Sequence, residues 1–240
     1  MKNIAIVLAG GTGSRMGTDV PKQFLPLAGR RVIEYAIDTF DSHPAISEVA
    51  VVVHPGWRDE MEAIAARNRW QKLSRTIDGG AERYLSSLNA IMAYIDCDDE
   101  TNLLFHDAAR PLVSAAVVGR VAEALERHEA VGVGMPSTDT VWEVRTELEG
   151  YEATHVAVRI PERRTMWLAQ TPQAFRLPLI RDAYQRALQD PRFAATDDCG
   201  VVRRYMPEAK IHVVEGETRN FKVTTPDDLR RAEHEITQHG

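Results

Sequence analysis

The stretch Ile4-Ala5-Ile6-Val7-Leu8-Ala9-Gly10-Gly11-Thr12-Gly13-Ser14-Arg15-Met16-Gly17, followed by Pro21-Lys22-Gln23-Phe24, decides how this chain is read. An apolar run of strand character empties into a glycine-rich loop. That loop carries Arg15 and, seven positions later, Lys22. Glycines let backbone N–H groups approach a phosphate closely. Two cations can neutralise charge on a triphosphate. On these residues alone, a tight strand-to-helix turn with solvated cations stays open beside a nucleotide site.

Spacing excludes two nucleotide loops. A dinucleotide fingerprint needs G-x-G-x-x-G and then an acidic residue closing the second strand. Gly11 and Gly13 fit, but Met16 takes the third glycine's place and Gly17 comes one late. The second strand, Val49-Ala50-Val51-Val52-Val53, ends in His54. A P-loop needs G-x-x-x-x-G-K-[ST]. Lys22 has Pro21 before it and Gln23 after it.

Outward from the loop, strand-like runs recur at 4–9, 49–53, 103–105, 131–135 and 211–214, with a further short strand before Asp78. Amphipathic stretches at 59–70, 84–95, 117–125 and 177–188 lie between them. Thr225-Pro226-Asp227-Asp228 reads as a helix start, with Thr225 as cap and Pro226 at the first position. This alternation implies a Rossmann-like α/β fold, its mostly parallel sheet covered by helices on both faces.

One region breaks the rhythm. Residues 139–144 (D-T-V-W-E-V) and 153–160 (A-T-H-V-A-V-R-I) are β-rich, with Glu149-Gly150 as a turn between them. Two strands alone are marginal in water. Trp142, Val144, Val156 and Val158 therefore want a partner surface. The expectation is a single domain over 1–240 with an extended β-arm at about 137–162 that builds a homodimer. An arm folded on its own domain is the alternative.

Composition sets bounds. A chain of 240 residues, 44% hydrophobic, can bury one sizeable core. A formal charge of −6 argues against a nucleic-acid partner. Cation clusters in an acidic chain suggest a pocket for an anionic small molecule. Cys97 and Cys199 are too few and too distant for a disulfide framework, and no metal-ligand spacing is present. Met1-Lys2-Asn3 runs into a strand-like segment, and no apolar run approaches the roughly 18 residues of a membrane span. A cytoplasmic protein without a membrane partner is expected.

Further motifs carry chemistry. His106-Asp107-Ala108-Ala109-Arg110-Pro111 follows a strand, and ligands in open α/β sheets bind outside the carboxyl ends of strands. Asp107 there can hold a ribose hydroxyl, a divalent cation or an acceptor, or simply cap a helix. Asp78-Gly79-Gly80-Ala81-Glu82-Arg83, then Ser86, offers close backbone approach to a planar base, or an ordinary turn. Gln170-Thr171-Pro172-Gln173, Thr196-Asp197-Asp198 and Asn220-Phe221-Lys222-Val223-Thr224 complete the set. Lys222 sits among apolar neighbours, which suits a cation directed into a cleft.

Together these motifs resemble the 2-C-methyl-D-erythritol 4-phosphate cytidylyltransferases of the non-mevalonate isoprenoid pathway, over about 4–232. The resemblance implies a nucleotidyltransferase that joins CTP and a polyol phosphate, with Mg²⁺, releasing pyrophosphate. It implies catalytic roles for Arg15, Lys22 and Lys222 at the triphosphate. It implies that Ala9, Gly10, Gly80, Ala81 and Ser86 frame the cytosine, while Gly11, Asp107 and Ala108 meet the ribose. Gly13 belongs to the same nucleotide loop. Thr140 and Arg163, from a partner's arm, would hold the acceptor phosphate, with Arg110 and Thr196 orienting the acceptor. No metal ligand is assigned beyond Asp107.

The acceptor is less fixed than the reaction. Ribitol-5-phosphate cytidylyltransferases share the loop, the T-P-Q motif and the late lysine. Trp142, Ile160-Pro161-Glu162-Arg163 and Thr196-Asp197-Asp198-Cys199 lean towards them, whereas H-D-A-A-R-P is typical of the methylerythritol enzymes. Methylerythritol phosphate is the preferred reading.

Overall fold

The computed structural model describes residues 1–11, 20–149 and 152–239. β1 (Lys2–Ala9) runs into the glycine-rich loop; β2 (Pro26–Leu27) and β3 (Arg30–Arg31) pair as a short hairpin before α1 (Val32–Ser42). Next come β4 (Glu48–Val53), α2 (Arg58–Asn68), β5 (Leu73–Asp78), α3 (Arg83–Ala93), β6 (Thr101–Asp107), α4 (Ala115–Leu125) and β7 (Ala130–Pro136). The arm is β8 (Glu143–Glu149) and β9 (Glu152–Arg159). β10 (Trp167–Arg176), α5 (Leu177–Ala187), α6 (Asp198–Tyr205), β11 (His212–Glu215) and α7 (Pro226–His239) complete the chain.

Seven strands form one sheet in the order β11-β7-β10-β6-β1-β4-β5. Every pairing is parallel except those of β10, which runs antiparallel to both β6 and β7. β1 is buried from Asn3 to Ala9, as a central strand with both faces covered must be. Its side chains alternate. Ala5, Val7 and Ala9 pack with Ile37 and Phe40 of α1, Ile64 of α2 and Val121 of α4. Ile4, Ile6 and Leu8 pack with Ile91 of α3, Ile180 and Tyr184 of α5 and Val202 of α6. Each Val, Leu, Ile or Phe among them contributes about 1.5–3 kcal/mol by leaving water. α7 begins where expected: Thr225 N donates to Asp228 Oδ2 at 2.8 Å and Asp228 N donates back to Thr225 Oγ1 at 3.3 Å.

Besides the short β2–β3 hairpin, β10, α1 and α6 escape the sequence pattern. β10 carries Gln170-Thr171-Pro172-Gln173 in mid-strand, where proline is disfavoured, and its pairing with β7 shifts register between Gln170 and Ala174. α1 carries apolar residues at 32, 33, 36, 37 and 40, a helical spacing present in the sequence but absent from the stretches named above. α6 is a short helix capped by Asp197, whose Oδ1 accepts from Gly200 N at 2.8 Å. The arm also starts later than the sequence suggests: residues 139–142 are not strand, and β8 begins at Glu143.

β8 and β9 pair antiparallel as a sheet of their own. Trp142, Val144, Leu148, Val156 and Val158 are exposed on this arm, Trp142 by 61%. Among the described residues, no helix is long and apolar enough to cross a membrane.

Candidate active site

β1 and β6 are parallel neighbours, and the chain moves off in opposite directions on either side of them. Their carboxyl ends therefore open a crevice. It is a cleft of about 230 Å³, lined by Gly10, Gly11, Lys22, Gly80, Ala81, Ser86, Asp107 and Lys222, with Leu8, Gln23, Glu82, Arg83, Ala109 and Thr224.

Two glycine turns form one wall by packing backbone against backbone. Gly79 N donates to Val53 O at 2.7 Å, and Gly80 N donates to Ser86 Oγ at 3.1 Å. A Cβ on Gly10 would stand 2.7 Å from Ser86 Oγ, and one on Gly79 only 3.2 Å from Gly10 Cα. The Lys22 turn is pinned on its own side. Gln23 Nε2 donates to Ala9 O at 2.7 Å and to Gly11 O at 2.9 Å. Phe24 stacks on Trp57, ring centroids 5.0 Å apart.

Asp107 is the electrostatic centre. Lys222 Nζ lies 2.8 Å from its Oδ2, Arg83 Nε 3.5 Å from its Oδ1, and Arg110 Nε 3.7 Å from its Oδ2. Burial pushes this carboxyl up, but Lys222, then Arg83 and Arg110, outweigh burial and hold it well below the usual carboxylate range.

Beneath it, buried polar groups tie three sequence motifs together. Thr171 Oγ1 accepts from Asp107 N at 3.1 Å and lies 3.1 Å from His106 Nδ1. His106 Nε2 lies 3.0 Å from Arg110 O. A neutral ring protonated at Nε2 satisfies both contacts. Burial lowers the His106 pKa to about 4, against a smaller opposing effect of the Arg110 carbonyl. Asn220 Nδ2 donates to Thr171 O at 2.8 Å and to Gln170 Oε1 at 3.1 Å. Val223 N donates to Ala109 O at 2.7 Å. These bonds carry Lys222 to the cleft.

The family model described as IspD: 2-C-methyl-D-erythritol 4-phosphate cytidylyltransferase matches residues 3–238. The chain is 48% identical over 229 residues to the 2-C-methyl-D-erythritol 4-phosphate cytidylyltransferase of Thermobifida fusca (strain YX), covering 95% of this chain and 91% of that one. The chain belongs to the 2-C-methyl-D-erythritol 4-phosphate cytidylyltransferase family. As a member it is a CTP-dependent nucleotidyltransferase. Among solved structures, the 4-diphosphocytidyl-2C-methyl-D-erythritol synthase of Anaerococcus prevotii matches with a TM-score of 0.80 at 27% identity over 98% of both chains. The Haemophilus influenzae bifunctional ribulose 5-phosphate reductase/CDP-ribitol pyrophosphorylase Bcs1 is 37% identical over 228 residues; the match spans 95% of this chain and 47% of that protein.

Against this cytidylyltransferase frame, most sequence-derived nucleotide residues meet at one cleft: Gly10, Gly11, Lys22, Gly80, Ala81, Ser86, Asp107 and Lys222 line it. Ala9 and Ala108 lie buried just beneath, where Ala108 N donates to Leu8 O at 3.0 Å. Gly13 and Arg15 lie outside the described residues. Thr140, Arg163 and Thr196 are exposed and do not line the cleft. Arg163 donates to Thr138 O at 3.3 Å. The Arg110 guanidinium donates to Asn220 O at 2.7 Å and Ala169 O at 3.4 Å. Sequence reasoning gave no role to Gln23, Glu82 or Arg83, although all three stood inside quoted motifs. Among the described residues, no three His, Cys, Asp or Glu side chains gather as a metal cluster.

Proposed function

We propose that this chain transfers CMP from CTP to 2-C-methyl-D-erythritol 4-phosphate, giving 4-diphosphocytidyl-2-C-methyl-D-erythritol and pyrophosphate. The observation that carries this reading is the meeting of Lys22 and Lys222, from opposite ends of the chain, across one cleft with Asp107 and two glycine turns. A phosphate oxygen of the acceptor attacks the α-phosphorus of CTP. One P–O bond forms, the bond to the β-phosphate bridge breaks, and pyrophosphate leaves. The acceptor phosphate is already ionised, so no general base is needed. Positioning and charge stabilisation carry the barrier.

In this reading Lys22 and Lys222, with Arg15, neutralise the triphosphate and the pentacovalent centre. The Gly10, Gly80 and Ser86 wall receives the cytosine, and Asp107 meets the ribose. Mg²⁺ accompanies CTP. Such ions take one or two carboxylates plus substrate phosphates, and Asp107 and Glu82 supply carboxylates in the cleft. The ion would offset charge on the transferring phosphates.

The arm makes the homodimer. Its exposed apolar side chains favour a second subunit as their cover, which would bring Thr140 and Arg163 to the neighbour's acceptor phosphate. Two free cysteines suit the reducing cytoplasm.

Pyrophosphate release with CTP and Mg²⁺ tests the reading. Turnover with 2-C-methyl-D-erythritol 4-phosphate is expected, and no release with any polyol phosphate would sink it. Ribitol 5-phosphate is the second acceptor to compare, because of the similarity to the CDP-ribitol pyrophosphorylase and because Trp142 and Ile160-Pro161 stand on the arm. A preference for ribitol 5-phosphate would reassign the acceptor and leave the chemistry intact.

A further inference from the structure

Asp107 meets a second cation of the cleft lining besides Lys222, and that cation reaches beyond the cleft. Arg83 Nε lies 3.5 Å from Asp107 Oδ1, and Nη2 of the same guanidinium lies 2.8 Å from Asp198 Oδ2. Asp198 is fully buried and accepts the Tyr184 hydroxyl on its other oxygen at 2.7 Å. A fully buried carboxylate is costly unless it is paired and hydrogen-bonded. This one is both, and it stands directly behind the nucleotide cleft. Arg83 thus has an anion at either end.

The consequence rests on the reading of CTP in this cleft. A triphosphate competes with Asp107 for Lys222. Once Lys222 turns to the phosphates, Asp107 needs a cation that stays. Arg110 stands 3.7 Å away, with its terminal nitrogens on the Asn220 and Ala169 carbonyls. Arg83 is tethered from behind by Asp198. We propose that Asp198 is a positioning residue of the nucleotide site, which through Arg83 keeps Asp107 aimed at the ribose when Lys222 engages the triphosphate. It also couples α6, which follows Thr196 and Asp197, to the ribose side of the cleft.

The test is ribose discrimination, the ratio of kcat/KM for CTP to that for 2′-deoxy-CTP and 3′-deoxy-CTP, read by pyrophosphate release. A loss of folded enzyme cancels in this ratio, so a purely structural role leaves it unchanged. Calorimetric binding of CTP to the wild type comes first; no binding there overturns the functional reading itself. Wild type that binds CTP yet does not discriminate against either deoxy form overturns this inference alone. Asp198→Asn is expected to lower the ratio at least fivefold. Tyr184→Phe keeps both charges and frees only the Asp198 hydrogen bond; it is expected to lower the ratio about twofold and serves if Asp198→Asn does not fold. A wild-type ratio in Asp198→Asn, or in Tyr184→Phe where that variant stands in, overturns the proposal.

Discussion

Lys222 Nζ lies 2.8 Å from Asp107 Oδ2, joining the end of β6 to a segment near the C-terminus across the mouth of the cleft. Lys222 is partly exposed there, while Asp107 is largely buried. The pair holds a flexible ammonium in the cleft before any nucleotide arrives, and a triphosphate has only to outbid one carboxylate for it.

Lys222→Ala is expected to lower kcat on the order of 10²-fold or more, about 3 kcal/mol, as for removal of one preorganised donor to a developing charge. Lys22→Ala should fall in the same range. Asp107 keeps Arg83 and Arg110 as neighbours in Lys222→Ala, so the melting temperature should change little. Steady-state pyrophosphate release beside a thermal melt checks both halves. Full turnover in either variant refutes the proposed chemistry.

Much of this site was legible in the sequence because it is built from backbone. Gly10, Gly79 and Gly80 mark places where the turns pack too closely for a Cβ, against the Ser86 hydroxyl, the Gly10 and Val53 backbone and the Leu85 side chain respectively. Lys22 and Lys222 were legible as cations in unusual company. Arg83 was not, since what marks it is its contact with Asp198, which stands far away in sequence and, though inside a quoted motif, gives no sign of that pairing. β10 was hidden for a related reason. Its polar centre, Gln170 to Gln173, looks like a loop but is buried and hydrogen-bonded to Asn220, Asp107 and Asp197. Tertiary bonding there overrides strand propensity. The arm was visible through β-branched residues, though residues 139–142 lack pairing partners within it.

Buried His106 makes stability pH-dependent. Its pKa falls from 6.5 to about 4 in the folded state, so between those values the unfolded chain binds more protons. Stability is complete above pH 6.5 and is lost as pH falls towards 4, by roughly 3 kcal/mol at about 1.4 kcal/mol per pH unit. His106→Gln is expected to melt lower than wild type at pH 7.5, with the gap closing by pH 4.5. Calorimetric melts at the two pH values check this; a gap independent of pH rules it out.

The arm prediction concerns assembly. Trp142→Glu with Val156→Glu places two charges among its exposed apolar side chains. Light scattering is expected to show a dimer for the wild type and a monomer for this variant. CTP binding by calorimetry should survive, while turnover is expected to fall at least tenfold if Thr140 and Arg163 serve a neighbour's acceptor site as proposed. A monomeric wild type, or a monomeric variant with full turnover, removes the cross-subunit acceptor site.

The contact between the two glycine turns gives a suppressor test. A Cβ on Gly10 would stand 2.7 Å from Ser86 Oγ and an ordinary 3.7 Å from Ser86 Cβ. Gly10→Ala is therefore an overpacking change confined to one hydroxyl, costing about 1–3 kcal/mol, and it should raise the KM for CTP at least tenfold. Ser86→Ala deletes that hydroxyl and leaves the Gly80 N–H without its partner, a loss of about 1 kcal/mol. The double variant keeps the second cost and escapes the first. Its melting temperature should exceed that of Gly10→Ala, with a coupling of about 1–3 kcal/mol, the overpacking cost relieved, in a double-mutant cycle. Additive losses would mean that the two turns do not meet through Ser86, and the wall assigned to the cytosine would need to be redrawn.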